Sequence, residues 1–342
     1  MLNFDKLQEI DKNKMYQIYD NWPEISQEAY DSSVEHKGFE NIDHIVFAGM
    51  GGSGAIGSIF ASILSKTNIH VSIVKGYILP KTVDSETLVI TTSISGNTDE
   101  TITILEEANK QDCQVFAFAS GGKIEEYCNE NHINFQKISM IHSPRASFSS
   151  FLYSMLKILG PIIPIPKDHI AESIDELKKI RDEVNSKNLG NSNSALNLAN
   201  WISGIPLIYY PAGLQAAAVR FKNSLQENAK MHAITEDVVE SCHNGIVAWD
   251  KPSNVIPILI EGEEDYFKTK ERWVILKQFF DEKNIEYKEV FSGAGNILTK
   301  IIRLTYFLDY VTIYKAVIDG IDPTPVESIS FIKRKLRENA LK

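Results

Sequence analysis

Apolar positions near the start of the chain recur at roughly helical spacing, with Leu2, Leu7, Ile10 and Met15 set among charges until DNWPEI interrupts the pattern. The spacing predicts a helical lead-in. From His44 the rhythm changes to short β-rich runs, HIVFAG, HVSIVKG, TLVITTS, QVFAFAS and FQKIS, separated by helix-like segments that open near Ser53, Thr98 and Lys123. Such alternation implies a parallel sheet with crossover helices. An apolar helix-like stretch then runs into GPIIPIPKDH, whose Pro161, Pro164 and Pro166 mark a linker.

A second α/β rhythm follows: helix SALNLANWI, strand IPLIYYPAG, helix LQAAAVRFKNSLQENAK, strand NVIPILIEG, helix KTKERWVILKQFFDEKN, strand EYKEVFSG and helix ILTKIIRLTYFLDYVTIYKAV. The expected fold class is therefore α/β, two doubly wound sub-domains with parallel sheets flanked by helices. Residues 1–40 form the lead-in, 41–160 the first domain and 161–342 the second with its C-terminal helix. In the long helix from Ile297, the stripe Ile302, Tyr306, Tyr310 and Ile313 fits a core or a dimer interface better than a cofactor pocket.

Composition narrows the function classes. The 342 residues, 43% hydrophobic and 23% charged, suffice for a sizeable core and exceed one typical domain. A net charge of −10 repels a polyanion, so no nucleic-acid partner is expected. The start MLNFDKLQEIDKNK has no apolar leader region and no run is long enough to span a bilayer, so the expected location is cytoplasmic, away from membranes. Cys113, Cys128 and Cys242 form no C-x-x-C pair and read as reduced thiols. No H-x-H or H-E-x-x-H spacing occurs; neither metal nor cofactor is expected.

Two loops stand out. AGMGGSGAIG and TTSISGNTDET both follow strands and open helices, which is where open α/β sheets place ligands. A helix start offers unpaired N–H groups and partial positive charge, so Ser53, Ser93, Ser95 and Thr98 beside it complete a cradle for a phosphate dianion without any lysine. Gly52, Gly54 and Gly96 leave backbone N–H groups accessible. Helix capping alone would also account for the hydroxyls of one loop, but two such loops at successive strand ends favour a ligand site. A dinucleotide site fits poorly: Gly52, Gly54 and Gly57 match G-x-G-x-x-G, yet no acidic residue closes the HVSIVKG strand to hold a ribose. No G-K-[ST] follows the glycines, which excludes a P-loop.

GMGGSG followed some forty residues on by SISGNTDET resembles the sugar isomerase (SIS) domain, a doubly wound module that binds phosphosugars. SPRASFSSFL, FKNSLQENAK, ESCHNGIVAWD and the terminal DPTPVESISFIKRKL extend the likeness over nearly the whole chain, which resembles the bifunctional phosphoglucose/phosphomannose isomerases. The resemblance implies two SIS-type domains, a phosphosugar substrate, and interconversion of glucose 6-phosphate or mannose 6-phosphate with fructose 6-phosphate through an enediolate, without a metal. It also implies a homodimer with shared active sites. Residue by residue, it assigns Gly52, Ser53, Ser93, Ser95 and Thr98 to the phosphate, Glu227 to proton transfer, His243 to ring opening and Arg145 to charge stabilisation. Lys333 is taken as the accompanying C-terminal lysine, with Lys335 a neighbouring choice and Thr324 the nearest threonine.

The assigned chemistry suits these residue types. One carboxylate at the end of an apolar helix can move a proton between C2 and C1, an arginine stays cationic beside the enediolate, and a histidine in the turn-like CHNG exchanges the proton that opens a sugar ring. Two other readings stay open: a phosphosugar-sensing SIS regulatory module, and another SIS sugar-phosphate isomerase. The regulator needs a DNA-binding appendage, whereas residues 1–44 hold ten Asp or Glu against four Lys.

Overall fold

The computed structural model describes residues 2–33 and 38–340. Three helices lead in, α1 (Phe4–Ile10), α2 (Met15–Asp20) and α3 (Trp22–Asp31). The lead-in breaks once at the Asn21–Pro23 corner, inside DNWPEI, and once earlier, where the buried Asp11 carboxylate accepts the Met15 and Tyr16 N–H groups and so starts α2 anew. Then come β1 (His44–Ala48), α4 (Gly51–Leu64), β2 (His70–Val74), β3 (Thr87–Ser93), α5 (Asp99–Ala108), β4 (Gln114–Ala119), α6 (Gly122–Glu130) and β5 (Asn134–Lys137). The strands form a parallel sheet in the order β2-β1-β3-β4-β5. β1 and β3 are buried along their whole length, as unbroken apolar runs covered on both faces must be.

Helices α7 (Phe148–Ile158), α8 (Lys167–Val184) and α9 (Ser194–Trp201) lead to the second half. There β6 (Ile205–Tyr210), α10 (Gln215–Asn228), β7 (Ile234–Asp237), α11 (Val238–Ser241), β8 (Val255–Glu261), α12 (Phe267–Glu282) and β9 (Lys288–Phe291) build a second parallel sheet, ordered β7-β6-β8-β9. The proline-rich stretch between α7 and α8 joins the halves. Besides α11 and the helix Glu327–Ala340, which the sequence reading does not place, two elements of the α/β winding escape it. α8 is one, although Ile170, Ile174, Leu177, Ile180 and Val184 bury one face of it; β7 is the other, too short and polar to show an alternation.

Helix α13 (Ile297–Ile318) lies against α8, α9 and α10, and α14 (Glu327–Ala340) follows it. Ile302, Tyr306, Tyr310 and Ile313 are all buried within the chain, so that stripe is core. α4 packs on α10, one crossover helix from each half, and Arg145 lies both above Gly52 at the start of α4 and against Glu227 at the end of α10. No described helix is long and apolar enough to cross a membrane.

Candidate active site

The first loop is shaped by close packing. A side chain at Gly49 would sit 2.8 Å from the Thr92 carbonyl oxygen and one at Gly54 would sit 2.7 Å from that of Gly49, so α4 starts tight against the sheet. At Gly52 the nearest atoms, in Pro144 and Arg145, are 3.9 Å from such a Cβ, which leaves room above the helix start. In the second loop Gly96 takes φ +70°, and a Cβ there would collide with Gly121.

The hydroxyls do not cap. Neither α4, which starts after Met50, nor α5, which starts after Thr98, has a side-chain cap bond. Instead Ser53 Oγ accepts from the Ile94 N–H at 3.3 Å, and Ser93 Oγ lies 2.8 Å from Thr98 Oγ1. Ser95 Oγ accepts only a long 3.4 Å bond from the Asn97 N–H. Two helix starts without side-chain caps, with hydroxyls between them, present the kind of N–H and O–H donors that an anion requires.

Beside this cradle, the turn before α7 carries Arg145, 5% exposed. Its Nε donates to Asn228 Oδ1 at 2.6 Å, Nη1 to Glu227 Oε2 at 3.3 Å, and Nη2 to the carbonyls of Pro323 and Thr324 at 2.5 and 2.9 Å. Asn228 is held in turn by Thr312, to which its Nδ2 donates at 2.8 Å. One and two turns back along α10, Ser224 and Arg220 both engage the buried Asp309 of α13, the guanidinium at 2.5 Å. Burial opposes charge on Arg220, but Asp309 more than offsets it and holds the guanidinium above its ordinary pKa. Arg145 is thus clamped on every side while Glu227, at the last turn of α10, keeps 28% of its side chain exposed. Lys230 donates to the Glu227 carbonyl at 2.5 Å, and burial followed by the nearby Arg145 charge lowers its ammonium pKa. A rigid cation against a half-open carboxylate is what proton transfer beside a developing negative charge requires.

Comparison with known proteins identifies the family. Residues 38–159 match the SIS domain model, and residues 191–336 match the bacterial phospho-glucose isomerase C-terminal SIS domain. A bifunctional phosphoglucose/phosphomannose isomerase of Caldicellulosiruptor bescii is 31% identical over 95% of this chain and 99% of its own length. One of Thermoplasma acidophilum is 30% identical over 91% of this chain and 94% of its own. The chain belongs to the bifunctional phosphoglucose/phosphomannose isomerase family. Solved structures share the fold: a hypothetical protein of Thermus thermophilus superposes with TM-score 0.74 at 12% identity, covering 99% of this chain and 94% of that one. The tagatose-6-phosphate ketose/aldose isomerase of Escherichia coli gives TM-score 0.63 at 14% identity, covering 94% of each.

Of the residues expected from the family, the structure brings Gly52, Arg145, Glu227 and the Thr324 carbonyl to one place, with Ser53, Ser93, Ser95 and Thr98 at the adjoining strand ends. His243 and Lys333 are elsewhere. His243 is exposed after α11, its N–H bonded to the Glu240 carbonyl, and no hydrogen bond joins it to Arg145 or Glu227 among the described residues. Lys333 is exposed on α14, and Lys335 there pairs with Glu338. Asn228, Lys230 and the Arg220–Asp309 pair were missed by the sequence reading. A signal existed: Arg220, Ser224 and Asn228 recur every four residues as a polar stripe beside Phe221 and Leu225. A cavity of about 540 Å³ between α9, β9 and α13 is lined by Trp201, Phe291 and Phe307 and by no residue of this site, so cavity size does not locate the chemistry.

Proposed function

We propose that this site isomerises sugar phosphates between aldose and ketose, glucose 6-phosphate or mannose 6-phosphate with fructose 6-phosphate, through an enediolate and without a metal. The observation that carries the reading is the Arg145–Glu227 pair set beside two uncapped helix starts. In this reading the phosphate rests on the N–H groups of α4 and α5 and on Ser53, Ser93, Ser95 and Thr98. Glu227 takes the proton from C2 and returns it to C1. Arg145, unable to lose its charge, stabilises the enediolate oxygens. The family relatives named above support the reaction class.

Ring opening is the part the described chain leaves unfilled, and we assign it to His243 of a second copy, with Lys333 as its companion lysine. His243 is exposed and apart from its own Glu227, a placement that suits donation across a homodimer. Coupled assays with both aldose phosphates, with and without EDTA, test the reaction: turnover of either sugar unaffected by chelator supports it, and turnover of neither ends it. Co-expressed Glu227→Gln and His243→Ala chains test the sharing. Mixed dimers then hold one intact site in two, and random pairing returns about a quarter of wild-type activity. Confirmed mixed dimers without activity place His243 in its own subunit's site.

A further inference from the structure

His142, three residues before Arg145, does not belong to the constellation above, yet it carries two costs at once. Its φ is +62°, a left-handed backbone at a residue with a side chain, and the Ser143 N–H closes a tight turn over it onto the Ile141 carbonyl at 2.7 Å. Its ring lies between three segments. Nε2 meets the Asn13 carbonyl of the lead-in at 3.1 Å; a carbonyl only accepts, so Nε2 bears the proton and Nδ1 the lone pair. That Nδ1 is buried, and no partner reaches it among the described residues. A glycine would remove the first cost and an apolar side chain the second. Neither is present.

The surroundings explain what a titratable ring does there. Asp11 faces it from the turn after α1, Asp322 from the strap after α13, and Arg145 from its own turn; these are the charged groups that act on the ring. Asp322 accepts the Thr324 N–H at 2.9 Å and thereby shapes the strap whose Pro323 and Thr324 carbonyls hold Arg145 Nη2. The turn itself is pinned by Ser147 Oγ, which accepts from the Ile141 N–H at 2.8 Å and donates to the Ile141 or Ser143 carbonyl, each at 2.9 Å.

We propose that His142 is a positioning residue for Arg145: its neutral ring, held by Asn13, keeps the 141–147 turn and the 322–324 strap in the arrangement that aims the guanidinium at Glu227. Burial, more than Arg145, lowers the ring below its ordinary value, with Asp11, the Asn13 bond and Asp322 opposing, so the neutral form prevails at neutral pH. Acid charges Nδ1. The cation then repels Arg145 and draws Asp322, and the frame of the guanidinium shifts with the strap.

The inference rests on the reading of Arg145 given above, and the test separates the two. His142→Gly is at ease at this φ, so it should melt close to the wild type. Its kcat for fructose 6-phosphate should fall about tenfold with KM within about twofold, and the acid limb of the kcat profile should vanish. His142→Asn tolerates the left-handed backbone and does not titrate; it should recover much of kcat and also lack the acid limb. Wild-type kcat in His142→Gly at every pH overturns the proposal, as does lost activity with the acid limb unchanged, which is the mark of a merely structural ring. Should both variants fail to fold, NMR titration of the wild-type imidazole decides: a midpoint below 6.5 that coincides with the acid limb supports the role, and a midpoint at or above 6.5 overturns it. Arg145→Lys serves as the control. If that change is harmless the reading of Arg145 fails; if it abolishes turnover while His142→Gly does not, only the inference about His142 fails.

Discussion

At the carboxyl end of the first sheet, α4 and α5 begin without side-chain caps, and the hydroxyls around them bond to one another or to a strand-end N–H. At the same end of the second sheet the chain supplies its own acceptors. Asp237 takes the Val239 and Glu240 N–H groups at the start of α11, and Asn296 takes the Thr299 N–H at the start of α13. Asp265 accepts from the Gly262 N–H and from Trp273 Nε1, both at 3.0 Å, in the loop after β8. α10 and α12 begin there without a side-chain cap, α10 after Pro211–Leu214, which offers neither hydroxyl nor charge, and α12 after a loop carrying the carboxylates of Glu263, Glu264 and Asp265. Donors already satisfied by a carboxylate have nothing left for an external anion. One winding therefore gives two kinds of end: in the first half the uncapped starts are surrounded by hydroxyls, and in the second the starts are capped, bare or fronted by carboxylates, while α10 carries Glu227 across to the first half's loops.

The sharpest way to break this division is at Glu227. Glu227→Gln keeps size and hydrogen bonding and removes basicity, so kcat should fall at least about 10²-fold while the melting curve holds. A near-normal kcat would leave the second half without a chemical role. Next in size is the open end. Replacing Ser95 and Thr98 together by Ala removes bonds worth about 1.5–3 kcal/mol each to a charged group, which should raise KM for fructose 6-phosphate tenfold or more and weaken inhibition by inorganic phosphate. Unchanged values for both would reject the cradle.

The carboxylate-rich end should respond in stability rather than in binding. Asp265→Ala orphans the Gly262 and Trp273 N–H groups and should cost about 1–3 kcal/mol in urea unfolding while KM stays within about twofold. A large rise in KM would show that this end also meets the substrate. The smallest effect concerns Glu261, at the tip of β8. Burial pushes its carboxyl up to about 7 against the pull of Lys277, with Glu289 close by. A carboxyl raised on folding binds its proton more tightly in the folded state, so its contribution is complete below the ordinary carboxylate range and is lost as pH rises through about 7. Glu261→Gln should accordingly reduce the loss of stability between pH 6 and 8 by roughly 1 kcal/mol. Equal slopes in the two proteins would remove Glu261 from the account.

Much of this was legible in one dimension, because strand and crossover helix each have a periodicity that local sequence must satisfy. β1, β3, β4, β6 and β8 lie where the apolar runs place them, and α4, α5 and α6 start within a residue or two of Ser53, Thr98 and Lys123. Where burial is shallow the pattern fades, and the four-residue β7 went unread. The hydroxyl loops were visible as loops, but whether their serines cap or stand free depends on a few tenths of an ångström that no spacing encodes.

Local periodicity and composition suffice for the layer order, the two windings and the residue types from which a site is made. The meeting of Arg145 with Glu227, 82 residues apart, belongs to the packing of the chain, which sets the turn before α7 against α10, where Arg220 donates to the Arg145 carbonyl. The same holds for the clamp on Arg145. Besides Glu227, two of its acceptors are backbone carbonyls, which every residue carries, and the other is an asparagine fixed by Thr312 on another helix. Side-chain identity determines what chemistry is available, whereas distance and desolvation, set by how helices pack, determine which of the available groups act together.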